Sequence, residues 1–96
     1  MEKLIQKEIL PQVLKTRDAG QKEYAQDEDN VFANFERIAM CIDVDRERVL
    51  MTYLLKHIDG ISAYTKGHRS QREDVTGRLT DAIVYLMLLW AMIREE

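Results

Sequence analysis

Ile5, Ile9, Val13, Thr16 and Gly20 fall on one stripe at helical spacing, so the chain opens with an amphipathic helix from about Glu2 to Ala25. Pro11 interrupts it. Its ring removes one intrahelical hydrogen bond and collides with the preceding turn, which predicts a kink or a restart. Gly20 weakens the second half by about 1 kcal/mol relative to alanine. The polar run Gln26–Asn30 breaks the pattern, and Asp29 or Asn30 is placed to cap a second helix from about Val31 to Met40. Val31, Phe35, Ile38 and Ile42 form its apolar stripe, with Phe32 and Ala39 beside it.

Asp43 or Asp45 caps a third helix, which continues to about Lys66 and stops at Gly67, a residue that accepts positive φ. Leu50, Leu54, Ile58 and Ile61 mark its buried face. Gly60 among them either weakens the helix or lets a neighbour approach closely. After the loop Gly67–Arg72, a fourth helix runs from about Glu73 to Arg94. It is amphipathic at first, with Val75, Leu79, Ile83 and Leu86 on one stripe, and apolar on all sides from Ala82 to Ile93. Such a segment needs cover all round, more than four helices supply. Trp90 and the nearby methionines are therefore expected at an interface between copies, making a homo-oligomer through helix 4. The pattern as a whole predicts one all-α domain over residues 1–96, a four-helix domain whose helices 3 and 4 are antiparallel because their connecting loop is short.

Composition narrows the function. The hydrophobic share is 46%, which suits a folded chain, and one proline with four glycines suits helices. The net charge is −3, with 8 basic and 11 acidic residues up to Arg48 and 6 of each beyond it. No basic stripe appears, which argues against bulk nucleic-acid binding. Cys41 is the only cysteine and, among apolar neighbours, is expected to be buried. The N-terminus lacks the apolar core of a signal peptide, and the run Ala82–Ile93 falls short of the ~20 residues of a membrane span. The expected location is the cytoplasm, with no membrane partner.

Polar groups inside the last two helices carry the functional information. Lys56, His57 and Asp59 lie together on the third helix, and Arg78, Asp81 and Tyr85 share a stripe on the fourth. Counting outward from the loop by equal rise puts Asp59 opposite Arg78, Lys56 or His57 opposite Asp81, and Tyr53 opposite Tyr85. Paired across the helices, these charges fix register and need no ligand. With spare positive charge, they line a pocket for a ligand or part of an acid–base site. Lys66, His68, Arg69 and Arg72 form a second candidate, because basic side chains beside a helix N-terminus suit a bound anion. The same residues also make an ordinary solvated loop. No metal site is indicated. There is no His-x₃-His or cysteine pair, Asp74 and Asp81 lie about two turns apart, and Asp27–Asp29 lacks the glycine turn and distal glutamate of a calcium loop. No cofactor is expected.

Tyr24-Ala25, Asn34-Phe35, Leu55-Lys56-His57 with Ile58 and Ile61, and Gly77-Arg78 with Asp81 and Tyr85 resemble, in order and spacing, a family of small phage and prophage proteins related to the nucleotide modification associated domain. The resemblance covers roughly Lys22 to Glu96. The family commonly has Asn-Tyr where this chain has Val84-Tyr85, so any contact made by that asparagine is missing here. The resemblance implies an all-α fold, a phage or prophage origin and a link to nucleotides. It adds Tyr24 and Asn34 to Lys56, His57, Asp59, Arg78, Asp81 and Tyr85 as candidate ligand-binding residues. The all-α nucleoside triphosphate pyrophosphohydrolases are similar in helical layout and oligomeric habit. Their magnesium site needs Glu-Glu-x-x-Glu and Glu-x-x-Asp. Here helix 3 lacks the first motif, and Arg78 stands where the second has glutamate. The sequence thus points to a small helical binding protein of phage type, recognising a nucleotide-like anion or a host protein, as an anti-defence role would require. The alternatives are a metal-dependent nucleotide hydrolase and a purely structural oligomerisation module.

Overall fold

The computed structural model describes all 96 residues. The chain forms four helices and no strand. α1 is one helical run made of Glu2–Leu4, Ile5–Ile9, Leu10–Gly20 and Gln21–Ala25; α2 is Ala33–Ile42, α3 is Arg46–Thr65 and α4 is Val75–Arg94.

Pro11 does not restart α1. Leu4, Ile9 and Leu10 keep right-handed helical dihedrals, and the turn before the proline, Ile5–Ile9, widens to i→i+5 bonding. A wide turn accommodates the missing N–H and the ring without ending the helix. A second wide turn, Gln21–Ala25, closes α1: Gln26 takes left-handed dihedrals, and its N–H donates to Gln21 O at 2.9 Å. Asn30 then leads into α2, its side-chain oxygen accepting the Phe32 N–H at 3.0 Å and its amide donating to Glu36 at 2.7 Å. Extended Asp45 and Asp74 precede α3 and α4, and Gly67, at φ 103°, turns the chain after α3.

α3 and α4 run antiparallel. Arg46 meets Glu95, Tyr53 meets Tyr85, His57 meets Asp81, and Gly60 meets Arg78. α1 lies against α4 through Leu10–Gly20, while α2 packs on α3 and against the end of α1. The core gathers where α2, α3 and α4 converge, around Phe32, Phe35, Ala39, Val49, Leu50 and Met92.

Several residues face the opposite way from their sequence-based expectation. Leu79, Ile83 and Leu86 of α4 are exposed, whereas Trp90, exposed at 71%, and Ile93 lie on the segment that was expected to need cover from outside the four helices. The buried side of α4 carries Thr80, Ala82, Val84 and Met92. A helix that is apolar all round has little amphipathic moment to orient it, so neighbouring helices decide which side is covered. Burial of Thr80 is made tolerable by its hydroxyl, which donates to Thr76 O at 2.8 Å. On α3, Ile58 is exposed while His57 is buried. Cys41 is exposed on α2 between Met40 and Ile42, both also exposed, because the core takes Phe35 and Ala39 from the other side.

Candidate functional site

A cleft of about 730 Å³ opens between the C-terminal half of α1 and the layer formed by α2, α3 and α4. α1 supplies one wall with Thr16, Arg17, Gln21 and Tyr24; α2 contributes Asn34 and Arg37. Lys56 and His57 come from α3, Asp81 and Tyr85 from α4, and Glu73 from the loop before α4. The volume falls in the range of pockets that enclose small organic ligands.

Aromatic rings form much of its floor. Tyr53 and Tyr85 stack at 6.2 Å with planes 15° apart, and Phe35 meets both edge-on, each at 6.2 Å. His57 tilts against Tyr85 at 5.6 Å. Burial pushes the Tyr85 hydroxyl up to about 12, with the nearby Asp81 charge adding to the effect, so Tyr85 stays a neutral hydroxyl at ordinary pH. Tyr24 stands at the rim, mostly exposed, and its hydroxyl is also raised, first by the charge of Glu23 and then by desolvation.

The charged groups of the cleft differ in how they are held. Arg37 is pinned by donating to the Tyr24 and Ala25 carbonyls at 2.7 and 3.3 Å, which ties the end of α1 to α2. Arg17 is engaged by Asp18 at 2.7 Å and Gln21 at 3.2 Å. Lys56 has no acidic partner within ion-pair distance and no side-chain hydrogen bond, and it lines the cleft along with His57. Asp81 is half-buried, and desolvation raises its pKa above the usual carboxylate range; His57 opposes that rise and Glu73 adds to it. The His57 Nε2 to Asp81 Oδ2 separation is 3.7 Å, too long for a hydrogen bond.

Six sequence-derived candidates therefore share the cleft: Tyr24, Asn34, Lys56, His57, Asp81 and Tyr85. Two do not. Asp59 lines no part of it, and Arg78 is turned toward Gly60, where a Cβ would stand 2.5 Å from its guanidinium. No Asp59–Arg78 ion pair forms. Arg78 Nε donates instead to Gln71 Oε1 at 3.1 Å, and Gln71 donates to Gly60 O at 2.8 Å, closing a short chain from loop to helix. The counted register misses by one residue, and one residue turns a helical side chain by about 100°. The basic loop also stays outside the cleft. Lys66, His68, Arg69 and Arg72 are exposed, and Arg69 covers the Tyr64 ring at 4.0 Å. Sequence reasoning passed over Glu73, Arg17, Arg37 and Tyr53 as site residues. Of these only Tyr53 carried a signal, its register opposite Tyr85, since the others reach the cleft from elements whose placement is tertiary. Comparison with protein-family models, with characterised proteins and with solved structures finds no match.

Proposed function

We propose that this chain is a small binding protein of phage type whose cleft holds a nucleotide-like anion. The observation that carries the reading is the meeting, in one cleft, of an aromatic cluster with an unpaired Lys56. A nucleobase has a flat π-face that stacks on tyrosine, with about 1–3 kcal/mol gained per base in single-stranded recognition. A phosphate takes the point charge of a lysine. Asn34, half-buried in the wall, offers both a donor and an acceptor for a base edge. Holding a nucleotide agrees with the link to nucleotides that the family resemblance implies. The test is calorimetric titration with ATP, GTP and a cyclic dinucleotide. Uptake of at least one is expected, with Lys56→Met weakening it tenfold or more and the nucleotide recovered intact after denaturation. No uptake of any of the three, or undiminished uptake by Lys56→Met, overturns the reading; recovery of a hydrolysed product favours the hydrolase.

Self-association through α4 belongs to the same proposal. The chain exposes 7295 Å², whereas a compact monomer of this mass exposes about 5,700 Å². Part of the excess lies in the cleft. α4 exposes the apolar stripe Leu79, Ile83, Leu86, Trp90 and Ile93. By length and composition Val75–Arg94 could also cross a membrane. A second copy is the better cover, because a span over Val75–Arg94 would carry both Arg78 and Asp81 into the bilayer, where charged side chains are costly. Light scattering at micromolar concentration is expected to give a dimer or larger species, and Trp90→Glu a monomer. A parent protein that runs as a clean monomer ends this part of the proposal.

A further inference from the structure

We propose that His57, Glu73 and Asp81 form a site for one divalent transition-metal ion of the zinc or manganese type, at the edge of the cleft. The inference goes beyond nucleotide recognition and stands or falls without it. One ligand atom from each of the three residues can be chosen so that all lie within 4.8 Å of one another. Donors about 2.0–2.2 Å from a common ion stand roughly 3–4 Å apart, so closure needs a shift of about an ångström. Glu73 is free to make it, being exposed and without ion pair or hydrogen bond.

The second observation is His57 itself. The residue is 92% buried, yet its enclosed Nδ1 has no hydrogen-bond partner. Its Nε2 faces Asp81 from beyond hydrogen-bond length. Buried polar groups without partners are rare in folded proteins and call for an explanation. The imidazole makes no hydrogen bond from either ring nitrogen, and a metal bond at Nε2, the nitrogen that faces Asp81, would give it one strong partner while Nδ1 stays enclosed. The carboxylates point the same way: Asp81 is half-buried, and Glu73 stands beside it with a charge of the same sign. A cation between them would reverse that repulsion. One imidazole nitrogen with two carboxylate oxygens suits zinc or manganese better than magnesium or calcium, which take oxygen donors. Three protein ligands leave coordination positions open. The cleft's Arg17, Arg37 and Lys56 face an equal number of acids in Glu23, Glu73 and Asp81, and a divalent ion would tip that balance toward an anionic guest.

The experiment titrates the metal-free full chain with zinc chloride, manganese chloride and magnesium chloride by calorimetry, without nucleotide. A Cys41→Ser background removes the exposed thiol as a competing zinc ligand. One zinc or manganese ion per chain is expected, with magnesium at least tenfold weaker. His57→Gln and Glu73→Gln should each weaken binding tenfold or more, and His68→Gln should leave it unchanged. Glu73→Gln protects the test from misfolding, because the residue is exposed and its metal-free melting temperature should match the parent's. Zinc should also shift the His57 ring nitrogens in an ¹⁵N spectrum. Binding that Glu73→Gln and His57→Gln leave intact, or no stoichiometric zinc or manganese uptake, overturns the site. Because nucleotides are absent, neither result depends on the nucleotide reading.

Discussion

Arg46 and His57 lie about three turns apart on α3, both turned toward α4, in opposite polar surroundings. Arg46 donates to Glu36 and to Glu95, each at 2.9 Å, comes within 3.5 Å of Glu47, and lies 4.8 Å over the Phe32 ring. Burial works against its charge, but the hydrogen bonds it donates to Glu95 and Glu36, with the charges of those carboxylates, outweigh that and raise its pKa. One guanidinium thus joins α2, α3 and the end of α4. Lys56 makes no ion pair or hydrogen bond, and His57 packs on Tyr85 and approaches Asp81 only to 3.7 Å. Charges that hold this fold together are matched by protein groups. Around the cleft, Arg17 and Arg37 are held by hydrogen bonds to protein groups, while Lys56, Glu73 and the ring nitrogens of His57 are not, and it is to these that the proposed guests are assigned.

The sharpest way to break this contrast is Arg46→Met. Loss of two charge-assisted hydrogen bonds and the cation–π contact should cost about 2 kcal/mol. The Glu36 half should dominate, since Glu95 is more than half exposed and screened. Urea denaturation reads the loss, and nucleotide and metal uptake by the folded fraction should not change. A cost under about 0.5 kcal/mol would mean that the matched cluster is ornamental.

The complementary variant is Lys56→Met, whose cost in the same urea experiment should stay within about 0.5 kcal/mol, the ordinary range for exposed positions. A large destabilisation would move Lys56 to the structural side of the contrast.

Arg78 gives the finest test, because it was a candidate for either side. Gln71→Ala and Arg78→Ala share a hydrogen bond, so their double-mutant cycle should show coupling of about 0.5–1 kcal/mol. Asp59→Ala and Arg78→Ala should add within about 0.5 kcal/mol. Coupling in the second cycle instead of the first would restore the register counted from sequence. Gly60→Ala should stabilise an Arg78→Ala background by about 1 kcal/mol through helix propensity, and the parent by less, because the guanidinium occupies that space.

Much of this was local, and the sequence by itself determined it. The four helices, the polar break after Ala25 and the turn at Gly67 follow from rules linking residues a few positions apart, and counting outward from the short loop brings Tyr53 to Tyr85 but leaves Lys56 and His57 as alternatives opposite Asp81. Tertiary structure alone decided which side of α4 is covered, because an all-round apolar helix contains no instruction about facing and three neighbouring helices compete for it. It also turned Arg78 onto Gly60 and Gln71, a difference of one residue in register that counting could not resolve. The cleft itself arises because α1 folds back over α4, bringing Arg17 and Tyr24 to the far wall. Glu73 joins His57 and Asp81 only there: fifteen residues of helix and loop separate it from His57 in the chain, and packing of α3 on α4 removes that distance.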